Sequence, residues 1–209
     1  MLGGVGEMVG GGGFGWAPGE FTDDTQMALA LAESIIATRS LDLADLWQRW
    51  RDWAASANDV GSITGTALSH EQHDGAAEAA HERLRRSAGN GALMRVAPVG
   101  ITFAAIDAPD VTEQCMRVAH DQAALTHHDP AASWGAAVWA ELIRRTILGA
   151  DIAHLYDVTH WRDRALAAEL PSDSLGEDFS RETLAEALQR LERYHRSVYD
   201  VNLAHVHPS

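Results

Sequence analysis

From Thr22 onward the apolar residues of this chain return every three or four positions, and no segment of four to eight residues alternates apolar with polar. A helix turns once in about 3.6 residues, so this spacing gathers side chains on one face; a half-buried strand needs a period of two. Met27, Leu31 and Ile35 make the first stripe, with Ala28 and Ala32 beside it. Trp47, Trp50 and Ala54 make a second from about residue 43, and shorter helical pieces follow around 64–69 and over the alanine-rich 75–87. Val111, Cys115, Val118 and Leu125 predict a helix over about 111–126. Asp129-Pro130 reads as an N-cap with proline at the first helical position, ahead of Trp134, Val138 and Leu142. The pattern continues over 151–169 until Pro171, and Ser180 opens a last helix with Leu184, Leu188 and Leu191. Glycine-rich 1–21, residues 170–180 and the tail 203–209 are read as loop. The expectation is an all-α fold in a single domain over 1–209, with enough chain to bury a sizeable core.

Charge and composition narrow the chemistry. The formal net charge is -14, with 30 acidic against 16 basic side chains. No basic run offsets it, so nucleic-acid binding is not expected. The pairs Arg85-Arg86 and Arg144-Arg145 read as solvated helix faces. All 16 basic residues are arginine, which excludes a P-loop lysine, a Schiff-base lysine and a lysine general base. Cys115 is the single cysteine, and no apolar run reaches the roughly 18 residues of a membrane span. With no signal-peptide pattern at the N-terminus, a cytoplasmic setting is expected.

Three short segments have the chemistry of a site. Thr22-Asp23-Asp24-Thr25 stands where a loop enters an apolar helix. It can serve as a helix cap, with acids at the positive end of the dipole, or as a cluster of hard oxygens for Mg²⁺. Gly89-Asn90-Gly91, with Arg95 downstream, precedes an apolar helix start. Its free amides can hold a phosphate, or it is an ordinary turn. Arg95 can pair with phosphate, pair with Asp23 or Asp24, or act as a structural clamp. His127 and His128 can stack on a base or bond a ribose, or sit half-buried at a helix end.

The run Gly11-Gly12-Gly13-Phe14-Gly15-Trp16-Ala17-Pro18-Gly19-Glu20-Phe21-Thr22-Asp23-Asp24-Thr25-Gln26-Met27-Ala28-Leu29 resembles the first metal-binding segment of ADP-ribosylglycohydrolases. Gly89-Asn90-Gly91-Ala92-Leu93-Met94-Arg95-Val96-Ala97-Pro98 resembles that family's substrate-side glycine loop, and Thr126-His127 with Asp129-Pro130 its later Thr-His motif. The three come in the family's order and extend the resemblance from about Met1 to Leu148. It implies a compact orthogonal helical bundle and two Mg²⁺ ions that bind the ribose hydroxyls of an ADP-ribosyl group. The implied reaction is hydrolysis of an N- or O-glycosidic bond to ADP-ribose, on a modified protein or a small conjugate. By position, Thr22, Asp23 and Asp24 are the implied metal ligands. Gly89, Asn90, Gly91 and Arg95 are the implied lining of the pyrophosphate or nearby ribose, and His127 the implied border of the substrate.

Two departures stand beside the resemblance. The family's upstream Gly-Asp-x-x-Gly segment, with its catalytic carboxylate, and its C-terminal Asp-x-Asp-Thr/Ser motif are both missing from these 209 residues. The expectation is therefore an incomplete bundle with half of the metal ligands, weak hydrolysis by this chain alone, and self-association through uncovered apolar faces. A non-catalytic ADP-ribose-binding or remnant domain is the alternative. A His-Asp metal phosphohydrolase is a further one, given His73-Asp74, His120-Asp121 and His128-Asp129. Gly10-x-Gly12-x-x-Gly15 has no preceding strand to make it a dinucleotide fingerprint, and the His205-x-His207 pair lies in the tail.

Overall fold

The computed structural model describes residues 9–150. Among them are seven α-helices and no strand: α1 Asp23–Thr38, α2 Leu43–Ala54, α3 Ser62–Leu68, α4 Ala76–Leu84, α5 Ala97–Ala104, α6 Val111–Ala124 and α7 Pro130–Ile147. The all-α expectation holds. The expected helices beyond residue 150, the 170–180 loop and the tail lie outside the described residues. No helix among the described residues is long and apolar enough to cross a membrane.

Local sequence accounts for the starts of α2 and α7 by side-chain caps. Asp42 caps α2 by accepting from the amides of Ala44 and Asp45, both at 3.0 Å. Asp129 caps α7 by accepting from Ala131 N at 2.9 Å, with Pro130 at the first helical position as its spacing predicts. In the glycine-rich stretch Gly11 and Trp16 form an isolated antiparallel bridge, and several glycines take positive φ. Gln26 then anchors the start of α1: its amide donates to Phe21 O at 2.9 Å and its carbonyl accepts from Trp53 Nε1 at 2.6 Å.

The apolar stripes meet in one core. Met27, Leu31, Trp47 and Trp50 are buried where α1 packs on α2, and α7 packs on α5 and α6. Along α7 many of the buried residues are small, including Ala132, Gly135, Ala136, Ala137 and Ala140, so neighbouring helices approach closely there. Gly100 of α5 is the tightest point: a Cβ there would stand 2.5 Å from the Ala140 carbonyl oxygen and 2.9 Å from Ile143 Cβ.

Two sequence expectations change here. Arg144 is not part of a solvated face. It is buried and donates to Glu141 at 2.6 and 2.7 Å, while Arg145 donates to Glu141 at 2.9 Å. Glu141 is itself fully buried and accepts from Thr112 of α6 at 3.0 Å, so both cations serve an interior carboxylate. The buried face of α6 also holds His120 and Gln122 beside Cys115, Met116, Ala119 and Ala123, whereas Val111 and Val118 are only partly buried.

Replacing Gly100 with alanine forces α5 away from α7. We expect a loss of about 1–3 kcal/mol in denaturant-unfolding stability. An unchanged midpoint would show that the helices have room to spare.

Candidate functional site

At the start of α1, Asp23 and Asp24 fill the first turn and the Asp23 carboxylate accepts from Asp24 N at 3.1 Å, but the Thr22 side chain makes no cap. Thr22 occupies the N-cap position with extended backbone, and its carbonyl accepts from Thr25 N and Gln26 N. Its hydroxyl caps nothing; it donates instead to Asp24 Oδ2 at 3.1 Å. A capping threonine would turn its oxygen onto the second or third amide of the helix. Here the hydroxyl joins the carboxylates.

A third carboxylate acts on Asp23 by its charge. Asp59, in the loop before α3, raises the pKa of Asp23 through space. Burial, then Asp59, then Asp24 push the Asp23 carboxyl up to about 6 from an ordinary 3.8. No arginine pairs with Asp23, Asp24 or Asp59 among the described residues. Asp59 Oδ1 is buried with no hydrogen-bond partner among them. An orphaned acceptor beside repelling carboxylates is an arrangement that a bound cation relieves.

The donors are hard oxygens, and so fit Mg²⁺ in kind. They do not complete a site: among the described residues no group of three or more His, Cys, Asp or Glu is arranged to hold a metal ion. That statement also bears on the His-Asp reading. Asp129 is engaged as the α7 cap, His120 lies buried against the Trp134 ring at 5.0 Å, and His73 meets the edge of Trp47 at 6.2 Å.

The glycine segment forms a 3-10 turn over Asn90–Ala92, where the Asn90 carbonyl accepts from Leu93 N and Met94 N. The Asn90 side chain is exposed and makes no hydrogen bond among the described residues. His127, fully buried, lies against the turn. A Cβ on Gly91 would come within 2.9 Å of Thr64 Oγ1 and 3.0 Å of His127 Cε1. One on Gly89 would come within 2.9 Å of Ile63 Cδ1 and 3.3 Å of His127 Nε2. Glycine is required here by close approach; a side chain would displace the imidazole.

Arg95 takes the clamp role and none of the others. It is fully buried, with Nε donating to Gln122 Oε1 and Nη2 to Gln122 O and Thr126 Oγ1, all at 2.9 Å. Its guanidinium lies 3.7 Å over the Trp50 ring. Burial pulls its pKa down to about 9, which leaves it charged at neutral pH. The implied contact of Arg95 with a phosphate, and its pairing with Asp23 or Asp24, are therefore corrected: every direction from the guanidinium meets protein. Burial, with Arg95 nearby, also lowers the His127 pKa to about 3, so that ring is neutral.

Helix α3 joins the two halves. Asp59 precedes it and acts on Asp23 through its charge, while Ile63 and Thr64 at its start abut Gly89 and Gly91. A cavity of about 500 Å³ is lined by Asp24 and Thr25 together with Met94, Ala97 and Pro98. The exposed Leu29, Ile36 and Ile101 extend its wall. The structure thus groups Gly89 and Gly91 with His127, sets Thr22, Asp23 and Asp24 at the start of α1, and joins Asp24 to the segment after the glycine turn only through the cavity shared with Met94, Ala97 and Pro98.

Asp59, Thr64 and Gln122 were not found from sequence. Gln122 leaves a trace, falling seven residues after Cys115 at a position where the stripe expects an apolar side chain. Asp59 sits in a loop, where periodicity gives no signal.

Raising the folded-state pKa of Asp23 means that its protonated form stabilises the metal-free fold. That contribution is present below 3.8 and is lost as pH rises through about 6. Replacing Asp59 with asparagine should lower the Asp23 pKa, read by carboxyl-carbon NMR titration of the metal-free protein. An unmoved titration would remove Asp59 from the cluster.

Comparison with known proteins gives the geometry a family. The ADP-ribosylglycohydrolase family model matches residues 2–207. The ADP-ribosyl-[dinitrogen reductase] glycohydrolase of Rhodospirillum rubrum is 35% identical over 125 residues, 59% of this chain and 40% of that protein. The ADP-ribosylarginine hydrolase Tri1 of Serratia proteamaculans is 39% identical over 127 residues, 53% of this chain and 34% of its own. The chain thus spans well under half the length of these relatives. A solved ADP-ribosylglycohydrolase-related protein complex superposes with a TM-score of 0.57 at 30% identity, covering 91% of this chain and 64% of that one. With its helices, its acidic helix start and its glycine turn in that order, the chain belongs to the ADP-ribosylglycohydrolase family.

Proposed function

We propose that this chain binds the ADP-ribosyl group of a modified protein or small conjugate with the help of Mg²⁺, and that its chemistry is hydrolysis of the N- or O-glycosidic bond to that group. The observation that carries the reading is the Thr22 hydroxyl turned toward Asp24 beside Asp23, whose carboxyl is pushed up by burial and by the charges of Asp59 and Asp24, with no arginine paired to these acids among the described residues. Capping alone gives no reason for Asp59 to stand near Asp23 at a cost in charge repulsion.

Each residue has a role set by its surroundings. Thr22, Asp23 and Asp24 would hold the cation, and Asp59 adds negative charge behind them. A bound Mg²⁺ supplies Lewis acidity toward sugar and water oxygens. Exposed Asn90 and the glycine backbone beside it, which carries no side chain of its own at Gly89 and Gly91, would face a phosphate or ribose. Neutral His127 adds no net charge; it borders the turn as a hydrogen-bonding group.

The second reading, an ADP-ribose binder without turnover, is favoured by one observation: the described donors do not make a complete metal site. Both readings need binding, and they part on release of ADP-ribose. Titration calorimetry with ADP-ribose should show affinity that rises when Mg²⁺ is added, and Asp24→Asn should remove that increment. We expect slow Mg²⁺-dependent cleavage of an ADP-ribosylated substrate. Binding with no cleavage selects the binder, and no binding with or without Mg²⁺ contradicts both.

A further inference from the structure

We propose that Arg95 is a positioning residue: through the Thr126 hydroxyl it fixes His127 as the tautomer protonated on Nε2, so that this N–H is presented at the glycine turn to an oxygen of the ligand. The inference rests on the reading that the turn receives part of an ADP-ribosyl group, and it assigns Arg95 a function although Arg95 touches no ligand.

The argument is an accounting of donors and acceptors. A guanidinium has donors only, so Thr126 Oγ1 must accept from Arg95 Nη2 at 2.9 Å. The same oxygen lies 2.8 Å from His127 Nδ1. A hydroxyl has one proton to give, and Nδ1 is the remaining neighbour able to take it. Nδ1 is then unprotonated, and the ring proton resides on Nε2. In the opposite tautomer Arg95 and His127 would both donate to Thr126, whose own proton would be left without an acceptor in a fully buried position. A doubly protonated ring has the same defect and adds a second positive charge beside Arg95.

Arg95 is itself held in the one orientation that does this. Gln122 Nε2 donates to Ala92 O at 3.2 Å and to Ala119 O at 2.9 Å, which turns Gln122 Oε1 toward Arg95 Nε. The Trp50 ring closes the face of the guanidinium. At the other end of the relay, the Nε2 edge of His127 abuts Gly89 and Gly91, and a methyl on either would be 3.3 Å from Nε2. No acceptor for Nε2 is found among the described residues. A fixed neutral N–H beside glycine backbone suits a phosphate or ribose oxygen.

The test is long-range proton–nitrogen NMR of the whole chain labelled with nitrogen-15 histidine. Wild type should give a pyridine-type Nδ1 and a pyrrole-type Nε2 for His127, unchanged from about pH 8 to about pH 5, across the range where an ordinary histidine titrates. Added ADP-ribose with Mg²⁺ should shift the Nε2 resonance. Thr126→Val keeps the side-chain shape and removes the hydroxyl; it should give a mixture of tautomers and about tenfold weaker ADP-ribose binding, some 1.4 kcal/mol. Thr126→Ser should restore both. A protonated Nδ1 in wild type, or an unchanged tautomer in Thr126→Val, overturns the relay and leaves the functional reading standing. An expected tautomer whose Nε2 ignores bound ADP-ribose overturns the ligand contact. Failure of wild type to bind ADP-ribose at all overturns the functional reading, and with it this assignment.

Discussion

A charged guanidinium is enclosed in this structure with no carboxylate paired to it among the described residues. Burying an unpaired cation is costly unless its donors find oxygens of good geometry. Arg95 meets that condition through the side chain and backbone of Gln122, the Thr126 hydroxyl and the face of Trp50, with Met27 Sδ 3.9 Å from Nη1. Those partners lie on α1, α2, α6 and the segment after α6. The acidic start of α1 is one helical turn from Met27, and the glycine turn immediately precedes Arg95. Their relative position follows from how one side chain is satisfied.

Around that guanidinium the two surfaces have opposite requirements. The helix start gathers negative charge that pushes Asp23 toward neutrality, while one Asp59 oxygen has no hydrogen-bond partner among the described residues. The glycine turn gathers donors and excludes side chains, because Ile63, Thr64 and His127 occupy the space a Cβ would need. A ligand with hydroxyl oxygens at one end and phosphate at the other, joined by a hard cation, answers both. This is the physical basis of the proposed activity.

How far the sequence could be read depended on what each residue answers to. Helices with a stripe and a cap were recovered to within a few residues, as with Asp129-Pro130 and α7, because cap and periodicity are local. The role of Thr22 is open between cap and ligand in the sequence, because both place the same residues at the same spacing; the turn of its hydroxyl toward Asp24 leaves no local trace. Arg95 was assigned to a phosphate by resemblance, yet its partners Gln122 and Thr126 lie about thirty residues on and are unseen by local pattern. Asp59 was invisible for the related reason that loops have no period. Arg144 and Arg145 looked like a surface pair because their common acceptor, Glu141, looks equally like a surface residue until α6 closes over it.

The most direct test is a crystal structure of the chain with ADP-ribose and Mg²⁺ bound. The account predicts a cation at about 2.0–2.1 Å from carboxylate oxygens of Asp23 or Asp24. It also predicts ligand oxygens over the Asn90 turn within hydrogen-bond reach of His127 Nε2, and Arg95 still enclosed. A ligand seated elsewhere, with Asp23 and Asp24 facing solvent and no cation between them, would contradict it.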